Sequence, residues 1–335
     1  MPSITGSRIA VIGGAGLVGS HIVDQLIETE VSDILVFDNF VRGTRRNLEQ
    51  ACNSPKVELV AGDVRDRQTL RQLLDGVDYV FLLTALWLGE CLSQPREALD
   101  VNVVGLFNVL ELCQELGVKR IVYSSSASVY GDAVQVPMTE EHPFLNRTFY
   151  GATKIAGEQF LRAFYDMYGL PYVGLRYMNI YGPRMDYQGT YVSVIMKVLD
   201  RIQAGLPPII FGDGAQSYDF IYSSDVARAN ILALQSEATD EFFNVGTGIR
   251  TTINELVALL LELTGSTLRP EYRPQERMFV THRVGSIDKA ANMLGFRALL
   301  PLPEGLRSVV AWRQNDQPYQ TILPSEPRAR LLSQG

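Results

Sequence analysis

Cysteine is scarce in this 335-residue chain, and its three copies, Cys52, Cys91 and Cys113, are scattered without a CxxC pair. An odd, dispersed set supplies neither a disulfide frame nor a zinc site, so reduced thiols in a cytoplasmic setting are expected, with no metal. Long hydrophobic runs are missing too. No stretch approaches the ~18 apolar residues that a membrane span needs, and no basic leader precedes the first apolar run, Arg8–Ile12, so neither a membrane partner nor a signal peptide is expected. Positive charge is in deficit: 30 Lys and Arg against 37 Asp and Glu give a net charge of −7. That balance excludes a chain held to nucleic acid by phosphate contacts. The local cluster Arg42, Arg45 and Arg46 reads either as a solvated loop or as a neighbour of a cofactor phosphate. Internal repeats and low-complexity tracts are absent.

What is present is alternation. Short apolar, often β-branched runs at Ile9–Ile12, Ile34–Phe37, Val57–Val60, Tyr79–Leu83, Arg120–Tyr123 and Tyr172–Leu175 are separated by helix-like stretches. These stretches are Leu17–Glu28, Arg67–Leu74, Arg96–Leu116 and Tyr150–Tyr168. Such βαβ alternation predicts a parallel sheet covered on both faces. The pattern weakens at Gly182-Pro183-Arg184, Gly205–Pro208 and Gly212-Asp213-Gly214, where the chain is expected to leave the sheet and build a cap. Thr252-Ile253-Asn254-Glu255 predicts a capping box opening a helix through Leu263, ended by Gly265. The length itself points to two lobes.

Gly13, Gly16 and Gly19 directly follow the first strand and open the first helix, the context in which a glycine turn lets backbone approach a pyrophosphate. Asp38 ends the second strand, where a carboxylate accepts hydrogen bonds from an adenosine ribose diol and repels a 2′-phosphate. NAD is therefore the expected cofactor; Arg42 keeps NADP as the lesser option. Asp63, after the third strand, is placed either at the adenine amino group or as a helix cap.

Ser124-Ser125-Ser126 follows an apolar strand, at the sheet end where open α/β folds bind ligands. Tyr150 and Lys154 are i and i+4, hence on one helix face. A free tyrosine, with a pKa near ~10, is a poor base at neutral pH. A nearby ammonium and a positive nicotinamide ring lower that pKa. Ser126 then holds a substrate hydroxyl for proton transfer. Each residue alone is unremarkable; the set after a dinucleotide loop points to redox chemistry at a carbon bearing a hydroxyl.

With these motifs the chain resembles the extended short-chain dehydrogenase/reductase family, in its NAD-dependent nucleotide-sugar epimerase branch, from Arg8 to about Gly305. The resemblance rests on Gly13–Gly19, Tyr123–Gly131, Tyr150–Lys154, Arg176–Arg184 and Phe211–Gly214. It implies a Rossmann-type doubly wound parallel sheet over residues 1–178, rejoined by 219–247, with a smaller C-terminal α/β cap domain binding substrate over 179–335. It implies catalysis by Ser126, Tyr150 and Lys154. The implied cofactor set is Gly13, Ala15, Gly16, Leu17, Val18, Gly19, Asp38, Asn39, Arg42, Gly43, Asp63, Val64, Leu83, Thr84, Ala85, Asn102, Ser124, Ser125, Tyr150, Lys154 and Tyr177. The implied substrate set is Trp87, Ser126, Asn179, Arg184, Tyr191, Phe211, Tyr218, Arg277 and Arg283.

Two departures stand out. Relatives carry arginine after the Gly-Asp-Gly turn to grip a diphosphate, where this chain has Tyr218, leaving Arg277, Arg283 or Arg184 to do more. Trp87 follows the fourth strand, near where relatives carry His-x-Ala-Ala, and either narrows the pocket or packs in the core. Ala127 and Ser128 stand where family dehydratases carry an acid pair, so dehydration is not expected. The remaining expectation is C4 epimerisation of a UDP-hexose or UDP-hexuronate, with Arg184 the candidate cation near C6. The rivals are a sugar-nucleotide reductase or oxidase, and a non-catalytic NAD-sensing module. The family also implies a homodimer through the helices Arg96–Leu116 and Tyr150–Tyr168, with Leu106, Val109, Leu110 and Phe160 serving either that contact or the core.

Overall fold

The computed structural model describes residues 3–187, 192–274 and 280–315. Its main sheet has seven parallel strands: β1 (Arg8–Ile12), β2 (Asp33–Asp38), β3 (Val57–Ala61), β4 (Tyr79–Leu82), β5 (Arg120–Ser126), β6 (Tyr172–Tyr177) and the late strand Glu241–Val245. Their order is Glu241–Val245, β6, β5, β4, β1, β2, β3. After β1 the chain winds toward β3; from β4 it winds the other way. The carboxyl ends of β1 and β4 therefore border a topological switch point, where such sheets bind ligands.

Alternation along each strand divides the core. Ile9, Val11, Val36, Phe81, Val122 and Val173 share one cluster, and Ala10, Ile12, Leu35, Phe37, Val80 and Ile121 the other. Both faces are buried, so the strands read as unbroken apolar runs. Leu17–Ile27 and Ser223–Gln235 cover the first face; Arg67–Leu74, Leu106–Glu115 and Phe149–Tyr168 cover the second. Leu106, Val109 and Leu110 are buried in that second cluster, and the partly buried Phe160 packs against it. A third cluster, with Tyr181, Ile195, Leu199, Leu256 and Val309, builds the cap. No helix among the described residues is long and apolar enough to cross a membrane.

Two elements differ from the sequence expectation. The stretch read as one helix from Arg96 to Leu116 is Pro95–Leu99, a π-helical segment Asp100–Gly105, and Leu106–Glu115. The inserted turn has two packing correlates. Asn102 is held by Leu86 and Thr153, and a Cβ on Gly105 would lie 2.4 Å from Val64. The second difference is β5, which runs on through all three serines to pair Ser126 with Tyr177. Polar residues continue the strand because their hydroxyls find buried partners, described next.

Candidate active site

The glycine loop is built without room for side chains. Gly13 has φ +87°, and a Cβ there would sit 2.9 Å from the Thr84 nitrogen; a Cβ on Gly19 would sit 2.3 Å from the Gly13 carbonyl oxygen. Gly16 begins the helix Leu17–Ile27 and offers no side-chain cap, and the first turn carries no acid. The uncapped N–H groups and the helix dipole therefore favour an anion. Asp38 is buried at the neighbouring strand end, where its carboxylate accepts from the nitrogens of Ala15 at 2.9 Å and Phe40 at 2.8 Å. Burial raises its pKa, and those two donors oppose the shift. A carboxylate has about four acceptor sites, so it retains capacity for a ribose diol. Turn, helix end and carboxylate together fit a dinucleotide.

This loop forms one end of a cavity of about 2100 Å³ that continues past β5 to the cap. Single small-molecule sites hold roughly 300–1,000 Å³, so this volume takes a dinucleotide and a second large ligand. Gly13, Gly16–Gly19, Asp38, Asn39, Arg42, Gly43, Val64, Leu83–Ala85, Ser124, Ser125, Lys154 and Tyr177 line it. So do Ser126, Tyr150, Trp87, Asn179, Arg184, Phe211, Tyr218 and Arg283. Ala15, Asp63 and Asn102 are not among the lining residues. Tyr191 and Arg277 lie outside the described residues.

Tyr150 and Lys154 come from the helix Phe149–Tyr168, which Thr148 caps by accepting from the Gly151 nitrogen at 3.0 Å. Burial pushes the Tyr150 phenol up to about 12; a hydrogen bond with Ser126 pulls it down, Cys91 pushes it up, and the charges of Arg283 and Arg42 pull it down. Burial pushes Lys154 down to about 8, against the influence of Cys91 and Glu158. The Lys154 ammonium donates to the Ser124 carbonyl at 2.6 Å and lies 5.9 Å from the Tyr150 ring centroid. Base, ammonium and hydroxyl thus share one wall of the cavity.

Behind that wall, each serine has a different duty. The Ser124 hydroxyl pairs with the Tyr177 hydroxyl at 2.8 Å, which in turn donates to Asn230 at 2.9 Å. Ser125 donates to Glu158 at 2.5 Å, and Glu158 forms a buried ion pair with Arg176 at 2.7 Å. The Ser126 hydroxyl accepts from the Ser128 nitrogen at 3.1 Å and lowers the pKa of the Tyr150 phenol. Sequence reasoning missed Glu158, Asn230 and Cys91. Glu158 did carry a signal: it is one helical turn beyond Lys154 on the same face.

Several charged residues take roles other than those expected. Arg42 is paired with Glu90 at 3.3 Å and with Asp186 at 3.0 Å, and it stacks 3.8 Å over the Trp87 ring. Two carboxylates answer its charge, which disfavours a 2′-phosphate partner. Trp87, 39 % exposed, is wall and not core. Asp63 is held at about 2 by Arg65 and also accepts from Asn39 at 3.0 Å. Asn102 spends its amide on the Leu86 backbone and the Thr153 hydroxyl, so it reaches the cofactor region only through the segment it fixes. Arg184, read as the cation near C6, pairs with Asp24 at 2.7 Å. Among the described residues, the side-chain amide oxygen of Asn179 is buried without a hydrogen-bond partner, as an acceptor held for a ligand donor would be.

Residues 9–246 match the model of the NAD dependent epimerase/dehydratase family. A Methanocaldococcus jannaschii protein provisionally described as a UDP-glucose 4-epimerase is 36% identical over 92% of this chain and 99% of its own. The solved UDP-N-acetylglucosamine 4-epimerase of Methanobrevibacter ruminantium M1, in complex with UDP-N-acetylmuramic acid, superposes with a TM-score of 0.88 at 32% identity, covering 93% of this chain and 99% of that one. The Thermotoga maritima UDP-glucose 4-epimerase with UDP-glucose gives a TM-score of 0.86 at 34% identity, covering 92% and 99%.

Proposed function

The chain belongs to the NAD-dependent epimerase/dehydratase family, and on that premise we propose that it inverts C4 of a nucleotide sugar, a UDP-hexose or UDP-hexuronate, with Tyr150 as the base. The observation that carries this reading is the meeting of Ser126, Tyr150 and Lys154 on one wall of a cavity that begins at the glycine loop. NAD is the cofactor; when bound it supplies a hydride acceptor and a positive charge. The loop Gly13–Gly19, Asp38 and Lys154 would hold it.

The protein's part follows from the geometry. Ser126 aligns the C4 hydroxyl, and Tyr150 takes its proton. The Lys154 ammonium favours the phenolate. Inversion requires the 4-keto sugar to present its other face before hydride and proton return to C4 and its oxygen. Ala127 and Ser128 provide no acid beside Ser126, which disfavours loss of a hydroxyl as water.

Two measurements test this reading. Purified protein given UDP-glucose, UDP-glucuronate and their N-acetylated relatives is expected to yield a C4-inverted sugar by NMR; no inversion of any of them refutes the epimerase. Secondly, the cofactor-free Tyr150 is expected to titrate near 12. An added positive charge favours the phenolate, so NAD⁺ binding should lower that value by about one unit or more. Phenolate absorbance, taken as a difference from Tyr150→Phe, reads both values. An unchanged titration contradicts cofactor-assisted ionisation.

A further inference from the structure

Three separate segments of the cavity wall meet at the Arg42 guanidinium. Arg42 lies in the loop after β2, pairs with Glu90 at 3.3 Å and with Asp186 at 3.0 Å, and stacks 3.8 Å over the Trp87 ring. Trp87 and Glu90 belong to the segment after β4, and Asp186 follows Met185, which is buried in the cap cluster. All four junction residues line the cavity.

Each segment is rooted on the glycine turn or on the helix that the turn opens. The loop after β2 sits against Ala15, whose carbonyl accepts from the Thr44 nitrogen at 3.2 Å and from Asn47 Nδ2 at 2.8 Å. The segment after β4 lies against Gly13, where a Cβ would meet the Thr84 nitrogen at 2.9 Å. The stretch before Asp186 is tied to Leu17–Ile27: His21 Nε2 donates to the Pro183 carbonyl at 3.3 Å, and Arg184 pairs with Asp24 at 2.7 Å. Three arms thus rise from the dinucleotide end of the cavity and join at one side chain.

Two of the arms are strained. Phe40 has φ +59° and Arg184 φ +74°, each two residues before a member of the junction. Residues other than glycine rarely hold this left-handed conformation, and they persist in it where surrounding contacts impose it, as in ligand clamps. The side chains of Arg42, Glu90 and Asp186 are 16%, 14% and 24% exposed. Partial burial strengthens these ion pairs over fully exposed ones, while water still reaches them and lets them open.

We propose that this junction is a clasp over the cofactor: NAD enters or leaves only after Arg42 releases Glu90 and Asp186. The proposal rests on NAD as the cofactor and does not depend on which sugar is turned over. Holoenzyme mixed with excess isotope-labelled NAD tests it, with exchange of the bound cofactor followed by mass spectrometry. Wild type, Arg42→Gln, Asp186→Asn and the double variant are compared, and NAD content and melting temperature confirm folding. Each single variant should exchange NAD about 10-fold faster or more. The double variant should be no more than about 3-fold faster than Arg42→Gln, because both changes break one contact. A clasp hinders passage in both directions, so rebinding of NAD to cofactor-depleted Arg42→Gln should also be about 10-fold faster.

Exchange in Arg42→Gln within about 2-fold of wild type overturns the clasp. Faster release with unchanged rebinding also overturns it, and makes Arg42 a direct contact of the cofactor. Effects that multiply in the double variant overturn it too, since Arg42 and Asp186 would then act separately. A wild type that binds no NAD removes the premise and the proposal with it.

Discussion

Tyr150→Phe is expected to lower turnover on the order of 10³-fold while leaving NAD content and melting temperature unchanged. The substitution removes one hydroxyl and keeps the ring that packs on the cavity wall. Ser126, Arg283 and Arg42 each pull the pKa of that hydroxyl down. The loss should appear in kcat more than in KM, since the proton moves only in the chemical step. Single-turnover rates of wild type and variant at saturating substrate give the ratio. A variant within about 10-fold of wild type would remove Tyr150 from the reaction.

The second large effect is on stability. Arg176 and Glu158 are buried to within 3 % and 1 % side-chain exposure, and their ion pair holds Ser125, the Tyr130 hydroxyl and the Glu140 carbonyl in one network. Removing one member leaves an uncompensated charge away from water, which costs about 3–5 kcal/mol. Glu158→Ala and Arg176→Met are each expected to lose stability in that range by denaturant titration. The double variant should be less destabilised than the sum of the two, because neither charge then remains. Additive losses would mean that the pair does not act as a unit. Glu158→Ala is also expected to lower the Lys154 pKa further, because Glu158 is one of the groups that raise it.

The readable part of the site was local. The glycine loop, Asp38 at the end of β2, and Tyr150 with Lys154 one helical turn apart are short-range patterns whose spacing follows from strand and helix geometry. What could not be read depends on partners far along the chain. Arg42 meets Asp186 across 144 positions, and Ser124 is satisfied by Tyr177 across 53. A triple serine looks like a turn until those partners bury it, which is why β5 was expected to stop at Tyr123. The π segment at Asp100–Gly105 leaves the apolar period nearly intact, so a straight helix was expected there. Arg184 and Arg283 are alike in sequence. Arg184 is told apart by Asp24, its partner at 2.7 Å from 160 positions earlier in the chain.

The most direct test of the central claim uses UDP-sugar substrates deuterated at C4. An epimerase that oxidises and re-reduces the same carbon without releasing the hydride is expected to give the C4-inverted sugar with deuterium retained, and no net change in reduced-nicotinamide absorbance. Inversion with deuterium lost to solvent, or stoichiometric consumption of nicotinamide without an inverted product, would contradict the account.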